Sequence, residues 1–138
     1  MNDPVRLKIE LPKIPDIELV ALEGLDRLGR HLGISGEKLG EARIIVTEAI
    51  VNGLEHGSTK NPSVTVEFTM SQAELTVHVR DYGSGFNPSS VPEPELKSKL
   101  ASGDKRGWGL KLMKSMSDDF RIESDASGTK ITIKKLLK

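Results

Sequence analysis

Glu48, Asn52 and His56 stand four residues apart in a stretch whose apolar residues recur at helical spacing. A helix turns once in roughly 3.6 residues, so each step of four drifts by only about 40° and the three side chains share one stripe. A carboxylate, an amide and an imidazole are an unusual set beside an apolar face, able to exchange protons and to hold a polar ligand. A solvated helix edge, its histidine favourable to the helix dipole, would carry the same residues.

Further along, Asp81-Tyr82-Gly83-Ser84-Gly85 closes an apolar alternating run. Two glycines two apart let a backbone turn tightly and approach a ligand, and the aspartate before them can accept a hydrogen bond in a pocket; a plain strand-ending turn reads the same way. Arg106-Gly107-Trp108-Gly109-Leu110 opens a helical pattern. Glycines there expose N–H groups at the positive end of the dipole, a phosphate cradle, and Arg106 adds a charge that can fork onto phosphate oxygens; a hinge with no ligand is the other reading. Gly128-Thr129, before the last apolar alternation, is by itself only a hairpin turn.

The elements that must position these groups follow from periodicity. Val5, Leu7, Ile9 and Leu11 alternate with charged residues and predict a half-buried strand. Leu22, Leu25, Leu28 and Leu32 predict a helix over residues 18–31 that stops at Gly33. A second helix starts at Ser35 as N-cap, carries Leu39, Ala42, Val46, Ala49, Ile50 and Gly53 on one face, and ends with Gly57 as a left-handed C-cap. Val64, Val66, Phe68 and Met70, then Leu75, Val77 and Val79, predict a hairpin. Residues 87–107 are rich in Pro, Ser and Gly and too long for a plain connection, which predicts a lid with a short helix near 94–100. A third helix from Trp108 to about Asp118 and strands over 120–124 and 130–135, joined by the turn 125–128, complete the order. Helices on one face of a mixed, mostly antiparallel sheet satisfy it: a two-layer α/β sandwich.

Composition narrows the function. The chain has 138 residues, one domain's worth, with 20 Lys plus Arg against 20 Asp plus Glu, and that balance argues against nucleic acid or a membrane as partner. It has no cysteine, which excludes disulfides, cysteine-held zinc and a thiol nucleophile. No apolar run is long enough to span a bilayer, and the first residues lack the apolar core of a signal peptide, so a cytoplasmic protein of one domain is expected.

Taken in order, the pieces resemble one known arrangement. Glutamate-x3-asparagine on a helix, D-x-G-x-G after a hairpin, a loop of about 20 residues, G-x-G opening a helix and glycine-threonine before the last strand resemble the ATP-binding fold of the GHKL superfamily of gyrase, Hsp90, histidine kinases and MutL. The match runs from about Ser35 onward, and Glu48-Ala49-Ile50-Val51-Asn52-Gly53-Leu54-Glu55-His56-Gly57 is its most specific piece. Within that superfamily the short chain is similar to the anti-sigma-factor serine/threonine kinases.

The resemblance implies a Bergerat-type ATP-binding fold over residues 1–138 with an ATP lid at about 86–107, and ATP and Mg²⁺ as cofactors. It implies that Asn52 holds Mg²⁺, that Asp81 accepts a hydrogen bond from the adenine amino group, and that Gly83 and Gly85 let the backbone pass the nucleotide. Gly107 and Gly109 would admit phosphates, with Arg106 near the γ-phosphate and Trp108 and Leu110 in the same nucleotide-binding segment. Thr129 would contact adenine directly or through water, and Glu48 would be the general base. The implied partners are a STAS-domain anti-anti-sigma protein, phosphorylated on serine, a sigma factor and a second copy of the chain. Gly53, where the family usually has alanine, and Trp108 between the lid glycines are departures. An ATP-gated binding module without significant kinase activity is the alternative. The catalytic half of a histidine kinase fits less well, because residues 16–32 give one helix too short for a phospho-accepting hairpin.

Overall fold

The alternating runs and the helical runs separate into two layers. The computed structural model describes residues 3–85, 87 and 105–138. Five strands, β1 (Val5–Leu11), β2 (Val64–Met70), β3 (Glu74–Asp81), β4 (Asp119–Asp125) and β5 (Gly128–Leu136), form one sheet in the order β1-β2-β3-β5-β4. Every pairing among them is antiparallel, so the described sheet is not mixed. Helices α1 (Glu18–His31), α2 (Gly36–His56) and α3 (Lys105–Met116) supply the second layer. A period of two explains the division: on β2, Val64, Val66, Phe68 and Met70 are fully buried, while the residues between them stay partly exposed.

The core lies between the layers. Ile45, Val46, Ala49 and Ile50 of α2 meet Phe68, Val77, Val79, Ile131 and Ile133 of the sheet, and Met113 brings in α3. Each fully buried Leu, Ile or Phe stabilises the fold by roughly 1.5–3 kcal/mol. α1 packs beside α2, with Gly29 against Leu39 and an Arg43–Asp26 ion pair across the two helices. Ser35 caps α2 as expected, its Oγ accepting from the Lys38 N–H at 3.2 Å, and Gly33 turns the chain at φ 72° after α1.

Some boundaries differ from the sequence reading. Gly57 ends α2 in an extended conformation, φ −75° and ψ −179°, and not in a left-handed one. A side chain there would crowd the Gly53 carbonyl, so glycine serves close approach at this position. α3 begins at Lys105, before Trp108, and ends at Met116. It stops short of Asp118 because the sheet captures that residue: its N–H donates to the Lys134 carbonyl at 2.8 Å and its Oδ2 accepts from the Leu136 N–H at 2.7 Å. The expected lid and the short helix near 94–100 lie almost wholly outside the described residues.

Candidate functional site

Asp81 is the last residue of β3 and continues the inward row Leu75, Val77, Val79. It is a carboxylate on a core-facing position, only 4 % exposed. Two backbone donors hold one of its oxygens: the Gly83 N–H at 3.0 Å and the Thr129 N–H at 3.3 Å both reach Oδ1. The other oxygen has no hydrogen-bond partner among the described residues. A carboxylate oxygen with no protein donor keeps its capacity to accept from a ligand. Alternation turns the next residue, Tyr82, away: its hydroxyl bonds Thr65 at 2.9 Å and its ring lies under the Arg80 guanidinium.

The glycines around Asp81 let neighbouring backbone pack closely against its turn. A Cβ on Gly83 would fall inside contact distance of the His56 carbonyl oxygen, because the end of α2 lies directly against this turn. Gly85 has φ 80°, and a Cβ on it would collide with the Asp125 carbonyl. The facing turn is shaped by Asp125, whose Oδ1 accepts from the Ser127 N–H at 2.8 Å and hydroxyl at 2.6 Å; these bonds hold its carboxyl below the usual carboxylate range. Thr129, 4 % exposed, sits opposite Asp81 in the β3–β5 register, and its hydroxyl is 2.8 Å from that of Ser124 on β4.

Helices wall this floor. α2 runs in the same direction as β3: Gly53 faces Val79 and Gly57 faces Asp81. Four helical residues and two strand residues each advance by roughly 6 Å, so the two elements stay in step. Glu48 and Asn52 therefore lie along the flank of α2 that faces α3. Glu48 reaches across: its Oε2 would be 3.1 Å from a Cβ on Gly109. Asn52 is 8 % exposed, and its Nδ2 finds no hydrogen-bond partner among the described residues. That amide is a buried polar group with unspent capacity. Gly107 lies in the first turn of α3, but Gly109 lies in the second, beyond the N–H groups that a helix leaves open. The expected pair of phosphate-facing glycines is thus one first-turn glycine and one that makes room for Glu48. Trp108 and Leu110 are half-buried, Leu110 against the core.

The profile of the histidine kinase-like ATPase domain family matches residues 16–135, most of the chain. The chain belongs to this family. Among its relatives, the anti-sigma F factor of Clostridium acetobutylicum is 33 % identical over 102 residues, covering 72 % of this chain and 71 % of that protein. The serine-protein kinase RsbW of Listeria monocytogenes is 26 % identical, over 99 % of this chain and 89 % of its own. The crystal structure of the RsbU and RsbW domains of a Mycobacterium tuberculosis protein superposes with a TM-score of 0.70 at 18 % identity, covering 96 % of this chain but only 32 % of that longer one.

Of the residues singled out in this ATPase domain, the fold gathers Asp81, Gly83, Gly85 and Thr129 at one end of the sheet, and it sets Glu48 of α2 against Gly109 of α3, with Asn52 one helical turn further along α2. His56 contributes its backbone carbonyl to the wall against Gly83, while its side chain is exposed. The Arg106 guanidinium lies outside the described residues. Two participants were missed by the sequence reading, Gly57 against Asp81 and Ser124 beside Thr129. Ser124 had a signal: Phe120 and Ile122 alternate inward, and a hydroxyl takes the next inward place.

Proposed function

We propose that this chain is a single ATPase domain acting as an ATP-dependent protein serine/threonine kinase and anti-sigma factor, and that it phosphorylates a serine of a STAS-type anti-anti-sigma protein. The observation that carries the reading is the placement of Glu48 against Gly109: a carboxylate with no hydrogen bond among the described residues, facing the second turn of a glycine-containing helix. The relatives named as anti-sigma F factor and serine-protein kinase support the same reading.

In this reading the free oxygen of Asp81 accepts from the 6-amino group of adenine, and Gly83 and Gly85 keep side chains clear of the base. Asn52 would hold Mg²⁺ through its amide oxygen. One neutral oxygen donor suits an ion that keeps most of its waters and takes phosphate oxygens as its other ligands, and the described residues include no cluster of three acidic, His or Cys side chains to cage it. When bound, magnesium neutralises charge on the phosphate oxygens. Gly107, in the first turn of α3, would let the phosphates approach the positive end of the helix. Glu48 takes the proton of the attacking serine hydroxyl as the new oxygen–phosphorus bond forms and the bond from the γ-phosphorus to the β,γ-bridging oxygen breaks. A cytoplasmic location, a sigma factor as second partner and a homodimer belong to the same proposal.

The test is a phosphotransfer assay with Mg-ATP and purified STAS-domain proteins from the same genome, read as intact mass. One of them should gain a single phosphoryl group. ATP-dependent capture of such a protein with no mass gain, under conditions where ATP is bound, would point to the binding module.

A further inference from the structure

Lys135 is a cation in an apolar row. The inward side chains of β5 are Thr129, Ile131, Ile133 and then Lys135, which is 8 % exposed and pairs with Leu75 of β3. Its Nζ lies 3.0 Å from Glu41 Oε2 on α2 and donates at 3.1 Å to the carbonyl of Met116, the last residue of α3. One buried ammonium thus ties the sheet to both helices that flank the site. Its charge also complements the negative end of α3. Taking an ion pair out of water offsets most of what the pair gains, so such a pair adds little net stability; its best-attested use is to fix register.

The two helices meet at a second point. Glu48 of α2 stands against Gly109 of α3, its Oε2 3.1 Å from where a Cβ on the glycine would be. Glu41 precedes Glu48 by seven residues, and Met116 follows Gly109 by seven. Seven residues make roughly two turns, so on each helix the two points share one stripe about 10 Å apart. The helices are therefore antiparallel here, with Lys135 clasping them two turns from the Glu48–Gly109 contact. Between these points α3 presents Leu110 and Met113 to the core. Apolar contacts are non-directional and do not select one register. An ammonium shared between one carboxylate and one carbonyl does. A slip or rotation of α3 by one residue would bring Trp108 or Leu110 to Glu48 in place of the glycine.

We infer that Lys135 is a positioning residue for Glu48: by joining Glu41 to the end of α3 it sets the register of α3 on α2, and that register puts Gly109, and no side chain, opposite the Glu48 carboxylate. The inference rests on the reading of Glu48 as the general base and deepens it. Lys135 acts only through the two helices, since it lies six strand residues from Thr129 along β5, roughly 20 Å away.

The experiment uses the full chain and measures two quantities: the Mg-ATP dissociation constant by calorimetry, and the single-turnover rate of phosphoryl transfer to the STAS-domain protein, counted per folded molecule. Lys135→Met keeps the apolar stem and removes the charge. A misplacement of about 1 Å can cost roughly 100-fold in rate, so transfer should fall by about 10- to 100-fold with Mg-ATP affinity within about threefold. Gly109→Ala crowds the Glu48 carboxylate directly. It should lower transfer by at least about tenfold in the unaltered chain but by no more than about threefold in the Lys135→Met background, whereas independent sites at this separation would be additive. If Lys135→Met does not fold, Glu41→Leu combined with Lys135→Met removes both charges at once and takes its place. Transfer per folded molecule unchanged while the melting temperature falls, or additive effects of Lys135→Met and Gly109→Ala, would make the lysine merely structural and overturn the inference. Equal losses of affinity and transfer would overturn it too. If Glu48→Ala transfers at the normal rate, the base reading itself fails, a result visible before any Lys135 variant is made.

Discussion

Asp81→Asn replaces one atom and should reduce the adenine preference of the site. Oδ1 of Asp81 accepts the N–H groups of Gly83, at 3.0 Å, and Thr129, at 3.3 Å. Only an oxygen can accept them, so the amide of the variant keeps its oxygen there and places Nδ2 where the unpaired carboxylate oxygen now stands. Both backbone bonds survive, and with them the turn that carries Gly83 and Gly85. Removing a buried charge with an unpaired oxygen should leave the melting temperature of the ligand-free protein unchanged or raised.

The ligand-facing atom, however, changes from acceptor to donor. Adenine loses a charge-assisted hydrogen bond of roughly 1.5–3 kcal/mol, which is about 10- to 150-fold in dissociation constant. Guanine, whose 6-oxo group faced a carboxylate, now faces a donor. Titration calorimetry with ATP and GTP at fixed Mg²⁺ should therefore show ATP affinity falling by at least about tenfold and the ATP-to-GTP ratio falling by more. ATP affinity within about twofold of the original, with the variant folded, would refute the assignment of Asp81. So would equal affinity for ATP and GTP in the unaltered protein.

Glu48→Ala should abolish phosphoryl transfer while leaving Mg-ATP affinity within a few-fold, because a base acts only on the transition state; Asn52→Ala should lose metal-dependent nucleotide binding and transfer together, and calorimetry beside a transfer assay separates the two. Trp108, the sole tryptophan and a half-buried residue of the first turn of α3, should change its emission when Mg-ATP is added; an unchanged spectrum at saturating nucleotide would argue against an ATP-responsive lid. Lys135, whose Nζ is 3.0 Å from Glu41 Oε2 and donates to the Met116 carbonyl at 3.1 Å, holds the Glu41 carboxyl below its ordinary value of 4.5. The pair thus contributes stability that is complete above that ordinary value and is lost as pH falls through the lower folded value; melting curves from neutral to acid pH should show part of this acid loss missing in Glu41→Gln.

The periodic parts of the fold were legible in the sequence, and the reason is local. Val64 to Met70 alternate because one face of β2 is buried, and Leu39 to Gly53 recur at helical spacing because one face of α2 is, so neighbours in sequence carry the information. What could not be read depends on contacts distant in the chain. Asp81 meets Thr129 through the β3–β5 pairing, which brings together residues 48 apart, and nothing near either residue states that they share a row. Ser124 was passed over for the same cause: its place at the end of an inward row has meaning only once β4 is set against β5. Gly57 misled in a different way. A glycine closing a helix suggests left-handed geometry, but here it is wanted because a second element, the turn after β3, lies against it.

Gly53, the departure from the usual alanine, has a physical account in the same packing. In a helix interior glycine costs about 1 kcal/mol relative to alanine. Against that, a Cβ at this position would stand 3.2 Å from Val64 Cγ2 and 3.6 Å from Val79 Cγ1, so alanine would require α2 to lift or Val64 to move. Val64 and Val79 are fully buried or nearly so, in a core that transmits small displacements. Asn52 is the neighbour of Gly53 and Glu48 lies just over one turn earlier, so the distance at which Gly53 rests on the sheet fixes the height of the magnesium and base candidates above the Asp81 row. The glycine gives up helix propensity and lets α2 sit close on Val64 and Val79. With Val64 and Val79 as the apolar partners, the seat of α2 on the sheet is fixed by packing, and Asp81 is left to hold the Gly83 turn and Thr129 through one oxygen while the other faces the ligand in the proposed reading.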